Sequence, residues 1–335
     1  MMIILAVGFL AAFTISYFLA NGDFFRPSVI VSGVMFAASV CALYLERIWK
    51  FEIIWKTVVF LFLPVLILIF IDFITSLNVK YKQIRYEISE IRVCRIVLTV
   101  TILFEIVICI WHFIYLADTV GRLGSLSQMI KSYRQSIVWG TLTNVMPSLL
   151  SRLIRLVSNF SFIYLYIFIN NSIADGKIIS NIKYLIPTLI YCLDSLLFGA
   201  RGYILYLIFS ASVYSYILYQ RSVGWKVKKG FKFVGKIIVM MIIAAIAFVM
   251  FAGFVGRSTT GSFFYQLSVY FGGGIALLND FFSGGEIRSD GVGSATFITL
   301  NKFLARHFGN VINTKYEQFE FRSHNGFSMG NIYTP

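Results

Sequence analysis

The chain has 335 residues, 58% of them hydrophobic and 13% charged, where an ordinary soluble domain carries roughly 45–50% and 25%. That balance excludes a soluble globular protein. Lys and Arg outnumber Asp and Glu 29 to 15, a net charge of +14. With no soluble basic domain to hold it, nucleic acid fits poorly, whereas anionic lipid or a phosphate-bearing substrate fits well.

A spanning helix needs about 20 mostly apolar residues, because the hydrocarbon core is about 30 Å thick and each residue rises about 1.5 Å. About eight segments satisfy this: 2–20, 28–45, 57–78, 97–117, 150–170, 184–199, 203–220 and 237–256. The first lacks a basic start and a small-residue cleavage site, so it is expected to be a retained helix rather than a removable signal. The sixth and seventh run together through Phe198-Gly199-Ala200-Arg201-Gly202, too long for one span. The glycine pair around a charge predicts a tight hairpin turn there. After Gly256 the chain becomes glycine-rich and polar. Residues 262–282, interrupted by Gly272-Gly273-Gly274, are expected to form a re-entrant or interfacial segment. The expected fold is therefore an all-α polytopic membrane helix bundle over residues 1–256 with a large outer loop at 118–149. Residues 257–335 add an outer-facing, partly re-entrant or interfacial segment.

Orientation follows from basic residues in short loops, which stay on the cytoplasmic side. Residues 79–96 carry Lys80, Lys82, Arg85, Arg92 and Arg95. Residues 221–236 carry Arg221, Lys226, Lys228, Lys229, Lys232 and Lys236. Placing both inside puts the N-terminus, the loop 118–149, the turn at Arg201 and everything after Gly256 outside. The loop 46–56, with Arg47, Lys50 and Lys56, then breaks the rule. In this arrangement lysines gather inside, as anionic lipid head groups would favour, and arginines gather outside, a split that chance among 29 basic residues would also produce. A guanidinium grips phosphate or carboxylate bidentately, which suits it to a substrate.

Acids inside a bilayer cost on the order of 2.5–3.5 kcal/mol each, so Asp72, Glu105 and Asp194 need a reason to be there. Asp194 precedes Arg201 by seven residues, two helical turns, so it would orient that arginine if the helix persists that far. An ion pair that only fixes packing is the competing reading. Glu105 and His112 share the same spacing, but a proton relay normally needs more than one such pair. The loop 118–149 holds Arg122, Lys131 and Arg134, and Leu126–Tyr133 could lie at the interface as a short helix. Cys41, Cys94, Cys109 and Cys192 lack paired spacing and are expected to be core residues. No phosphate-cradling loop, zinc-protease motif, nucleophile elbow or His/Cys cluster is present, so neither a cofactor nor a metal is expected.

Several passages resemble the oligosaccharide repeat-unit polymerases, the Wzy-type O-antigen and capsule polymerases of bacterial envelopes. They are Asn21-Gly22-Asp23 with Pro27, then Ser125–Arg134, Leu197–Leu205 (LFGARGYIL), Tyr270–Leu278, Gly293–Leu300 and Met329–Thr334. The resemblance implies a multi-pass glycosyltransferase of the bacterial cytoplasmic membrane. It would pass a growing glycan from undecaprenyl diphosphate to an incoming lipid-linked repeat unit on the outer face. It implies Arg201 as the principal catalytic arginine, to which the spacing above adds Asp194. Arg134, Arg257, Arg122, Arg288, Tyr270 and Asn331 would act as substrate contacts. Its partners would be the undecaprenyl-diphosphate-linked oligosaccharide, anionic lipids at the lysine-rich inner loops, a chain-length regulator and a flippase. Family members continue into further membrane helices after the passage matching Gly330–Thr334, whereas this chain stops at Pro335. An inactive truncated polymerase therefore stays open as an alternative. A lipid-linked oligosaccharide flippase and a non-catalytic scaffold are the other readings.

Overall fold

The computed structural model describes residues 1–78, 87–121, 124–138, 146–199, 202–224, 235, 262–283, 322–324 and 327–329. These residues are helical except for short connections and a two-stranded antiparallel hairpin, β1 (Arg322–His324) with β2 (Phe327–Met329). Among the described residues six helices are long and apolar enough to cross a membrane. They are α1 (Met2–Leu19), α2 (Pro27–Trp49), α3 (Trp55–Asn78), α4 (Arg95–Val120), α6 (Ser148–Ala174) and α9 (Gly202–Val223). Several long apolar helices of this kind make the chain a multi-pass membrane protein. The expected span 237–256 lies outside the described residues. The contacts divide the chain into two units, residues 1–79 with 261–335, and residues 80–260.

In the first unit α2 packs against both α1 and α10 (Phe263–Ser283). The glycine triplet expected to interrupt this last segment lies inside one unbroken 21-residue helix. A Cβ on Gly272 would land on the backbone nitrogen of Ala42, 2.6 Å from the carbonyl carbon of Cys41. Glycine is there because two helix backbones meet, the small-residue contact that substitutes for the hydrophobic effect between helices in lipid. Asn279 near the end of α10 ties down the link between α2 and α3. Its Oδ1 accepts from the Ile54 N–H at 2.8 Å and the Thr57 hydroxyl at 3.1 Å, and its Nδ2 donates to the Glu52 carbonyl at 2.9 Å. Asp72, one of the three unexplained acids, accepts from the Ser28 N–H at 3.3 Å. It thus meets the positive end of α2, where the first N–H groups lack intrahelical partners.

The second unit is built from α4, α5 (Leu126–Val138), α6, α7 (Ile178–Asn181), a 3-10 turn (Ile182–Leu185), α8 (Ile186–Leu197) and α9. The sixth expected span, 184–199, is thus a 12-residue helix entered through a tightened turn, with Pro187 in its first turn. Proline is tolerated there because those N–H groups have no intrahelical acceptor. The break expected at 198–202 is seen as far as the described residues go: α8 ends at Leu197, Gly199 takes φ +64° and α9 starts at Gly202, while residues 200–201 of the expected hairpin lie outside the described residues. At the other end of the unit, Asn171 closes α6 onto the segment before α4. It accepts from the Ile91 N–H at 2.8 Å and donates to the Ile91 carbonyl at 2.9 Å.

Candidate functional site: a buried histidine–aspartate pair

The α4 helix is inside out by soluble standards. Ile96, Val100, Leu103, Val107, Ile110 and Ile114 are exposed, while Thr101, Glu105 and His112 are buried with Leu98, Ile108 and Tyr115. The buried set recurs every three or four residues, one face of a 3.6-residue helix. In a bilayer this is the stable arrangement, since the apolar face meets lipid and polar groups must find partners within the protein.

Those partners come from α6 and α8. The Thr101 and Tyr164 hydroxyls lie 3.3 Å apart, joining α4 to α6. Thr188 donates to the Ser161 carbonyl at 3.0 Å, joining α8 to α6. Between α4 and α8 stands His112, whose Nδ1 is 2.8 Å from Asp194 Oδ1. His112 is 0% and Asp194 1% exposed. The imidazole is covered by the Phe198 ring, with centroids 4.2 Å apart. Phe198 is the first residue of the α8–α9 turn, so the pair fixes the end of α8 against the middle of α4. Among the described residues His112 Nε2 and Asp194 Oδ2 are buried with no hydrogen-bond partner. So are both carboxyl oxygens of Glu105, two turns away on α4.

The α5 helix packs against α4. The expected interfacial stretch Leu126–Tyr133 is helical and continues to Val138. Its buried Met129, Ile130 and Tyr133 share a face, and Tyr133 meets Tyr115 edge-on, 6.1 Å between centroids. Burial and the neighbouring Tyr115 push the Tyr133 hydroxyl above its usual pKa. Arg134 follows directly and is half-buried, whereas Lys131 is exposed.

Of the residues expected at the site, Asp194 and Arg134 lie in this second unit. Tyr270 lies in the first unit, exposed on α10. Arg201, Arg122, Arg257, Arg288 and Asn331 lie outside the described residues. The same-face relation between Asp194 and Arg201 does not carry over, because α8 stops at Leu197. Asp194 pairs with His112 instead. Cys94 is exposed rather than core, while Cys41, Cys109 and Cys192 are half-buried, and all four are free thiols. Among the described residues no group of three or more His, Cys, Asp or Glu is placed to hold a metal. No protein-family model matches the chain, and comparison with curated proteins and with solved structures finds no significant match.

Proposed function

We propose that the chain is a repeat-unit polymerase, a glycosyltransferase that joins lipid-linked oligosaccharide units into an O-antigen or capsular polysaccharide. The reaction would take place on the outer face of a bacterial cytoplasmic membrane. The observation that carries the reading is the buried His112–Asp194 pair packed beneath Phe198, the residue that opens the turn leading to Arg201. Transfer from a lipid diphosphate needs cations to stabilise charge growing on the leaving group and a base to take a hydroxyl proton. Arg201 serves the first need, with Arg134, Arg122, Arg257 and Arg288 as further phosphate or glycan contacts and Tyr270 and Asn331 as sugar contacts. The reading includes an eighth span at 237–256 and an outer-facing segment after residue 257. Anionic lipids would bind the lysine-rich inner loops, and a flippase and a chain-length regulator would work alongside.

The test is to delete the chain from the organism that encodes it and examine surface glycan length. The polymerase reading expects single-repeat glycans on the outside, a ladder restored by the parent chain, and none restored by Arg201→Ala. The unpartnered carboxyl of Glu105 inside α4 favours a second reading, a flippase. In that case deletion traps lipid-linked repeats on the inner leaflet, and finding them there refutes the polymerase.

A further inference from the structure

We propose that His112 is the general base of the transfer and Asp194 its positioning residue, an assignment that rests on the polymerase reading above. With Asp194 as a carboxylate, which can only accept, and a neutral His112, the 2.8 Å contact between Asp194 Oδ1 and His112 Nδ1 puts the imidazole proton on Nδ1. The lone pair then sits on Nε2, the nitrogen that has no partner. A histidine kept only to join α4 to α8 would gain from having both nitrogens satisfied, since an unmet buried polar atom costs about 1–3 kcal/mol. A base must keep that nitrogen clear, and a carboxylate on the other one is the device that fixes the tautomer.

Phe198 is half-buried and lies against the imidazole at a tilt of 46°. It begins a turn whose next residue, Gly199, has the left-handed φ of +64°. In the proposed mechanism a change of the Phe198 rotamer is the step that opens the way to His112. An acceptor hydroxyl reaching it would lose its proton to Nε2 while its oxygen bonds the anomeric carbon of the donor glycan. The bond from that carbon to the diphosphate oxygen breaks, and its electron pair leaves with the lipid diphosphate. Asp194 stabilises the imidazolium until the proton passes to the outer aqueous phase.

The experiment replaces the chromosomal copy in the encoding organism and reads glycan length in cells. Polymerisation rate is then read in isolated membranes on that organism's own lipid-linked repeat unit. His112→Gln should accumulate to the parent's level yet polymerise about a hundredfold or more slowly, the usual worth of a positioned base. Imidazole should restore part of the rate to His112→Ala and none to Arg201→Ala. Asp194→Asn should be slow by itself but add no further loss to His112→Ala, because the two act as one unit. A His112→Gln chain that polymerises at the parent's rate overturns the assignment and leaves the polymerase reading standing. A His112→Ala chain that imidazole does not rescue, and that unfolds at lower temperature, gives the pair a packing role only and also overturns it. A ladder unchanged by deleting the chain refutes the polymerase reading, and this inference falls with it.

Discussion

Gly272→Ala adds one methyl group where α10 crosses α2, and its effect can be worked from the backbone. The new Cβ falls on the Ala42 nitrogen, with the Cys41 carbonyl carbon at 2.6 Å and the Ala42 Cα at 2.8 Å. Carbon atoms in ordinary contact stand about 3.5–4.0 Å apart. The obstacles are main-chain atoms, so no rotamer relieves the overlap and the helices must part by about 1 Å along the seam. Forcing extra volume into a close-packed contact costs about 1–3 kcal/mol, occasionally more. Gly274, two residues on, supplies the control, since a Cβ there meets nothing within 4 Å. Gly274→Ala should be neutral or stabilising by up to about 1 kcal/mol, from the better helix propensity of alanine. Thermal unfolding in lipid nanodiscs, followed by thiol labelling of Cys41 in a chain lacking the other three cysteines, reads both. The expected result is a lowered midpoint for Gly272→Ala and an equal or raised one for Gly274→Ala. Equal midpoints for the two variants would refute the close crossing.

Asn279→Ala should strand the Ile54 N–H, the Thr57 hydroxyl and the Glu52 carbonyl, at about 1–3 kcal/mol for a buried group left unmet. Asn279→Asp keeps the oxygen that accepts both bonds but sets a second oxygen against the Glu52 carbonyl in a buried site, so it should destabilise as well, and amide exchange at Ile54 measures both. Asp175, after α6, accepts from the backbone N–H of Lys177 at 2.8 Å and from the Asn181 amide at 3.1 Å. The Lys177 N–H is the main reason its carboxyl lies below the usual carboxylate range. A carboxyl lowered in the folded state stabilises above its unfolded pKa and loses that contribution as pH falls through the folded value. Protection of the Lys177 amide should therefore drop in acid, and Asp175→Asn should remove the dependence.

The spans α1, α2, α3, α4, α6 and α9 were readable because each holds a long, predominantly apolar stretch, and hydropathy needs no knowledge of partners. Features that depend on a distant partner were hidden. The same Gly272-Gly273-Gly274 composition suits a hinge or a close crossing, and only Ala42, more than two hundred residues earlier, decides between them. Local spacing relates Asp194 to Arg201, which lies outside the described residues, and gives no hint of the hydrogen bond Asp194 makes with His112, 82 residues away. The 184–199 stretch has the hydropathy of a span, but hydropathy does not register the change to 3-10 geometry before Pro187. Asp72 stood out as an expensive charge, and its reason, the open start of α2, exists only once the helices are packed.

The seam between α2 and α10 also bears on how the chain is made. Residues 27–49 leave the ribosome long before residues 263–283, and all of the second unit is synthesised in between. At about 5–20 residues per second that interval is roughly ten to forty seconds. Throughout it the face of α2 around Cys41 and Ala42 has no α10 to meet, and Ile54, Thr57 and Glu52 have no Asn279. The first three helices must therefore wait in the bilayer as an unfinished assembly. A chaperone or insertase that shields one small-residue face would act in that window, and a ribosome stalled before residue 263 would leave that face bare.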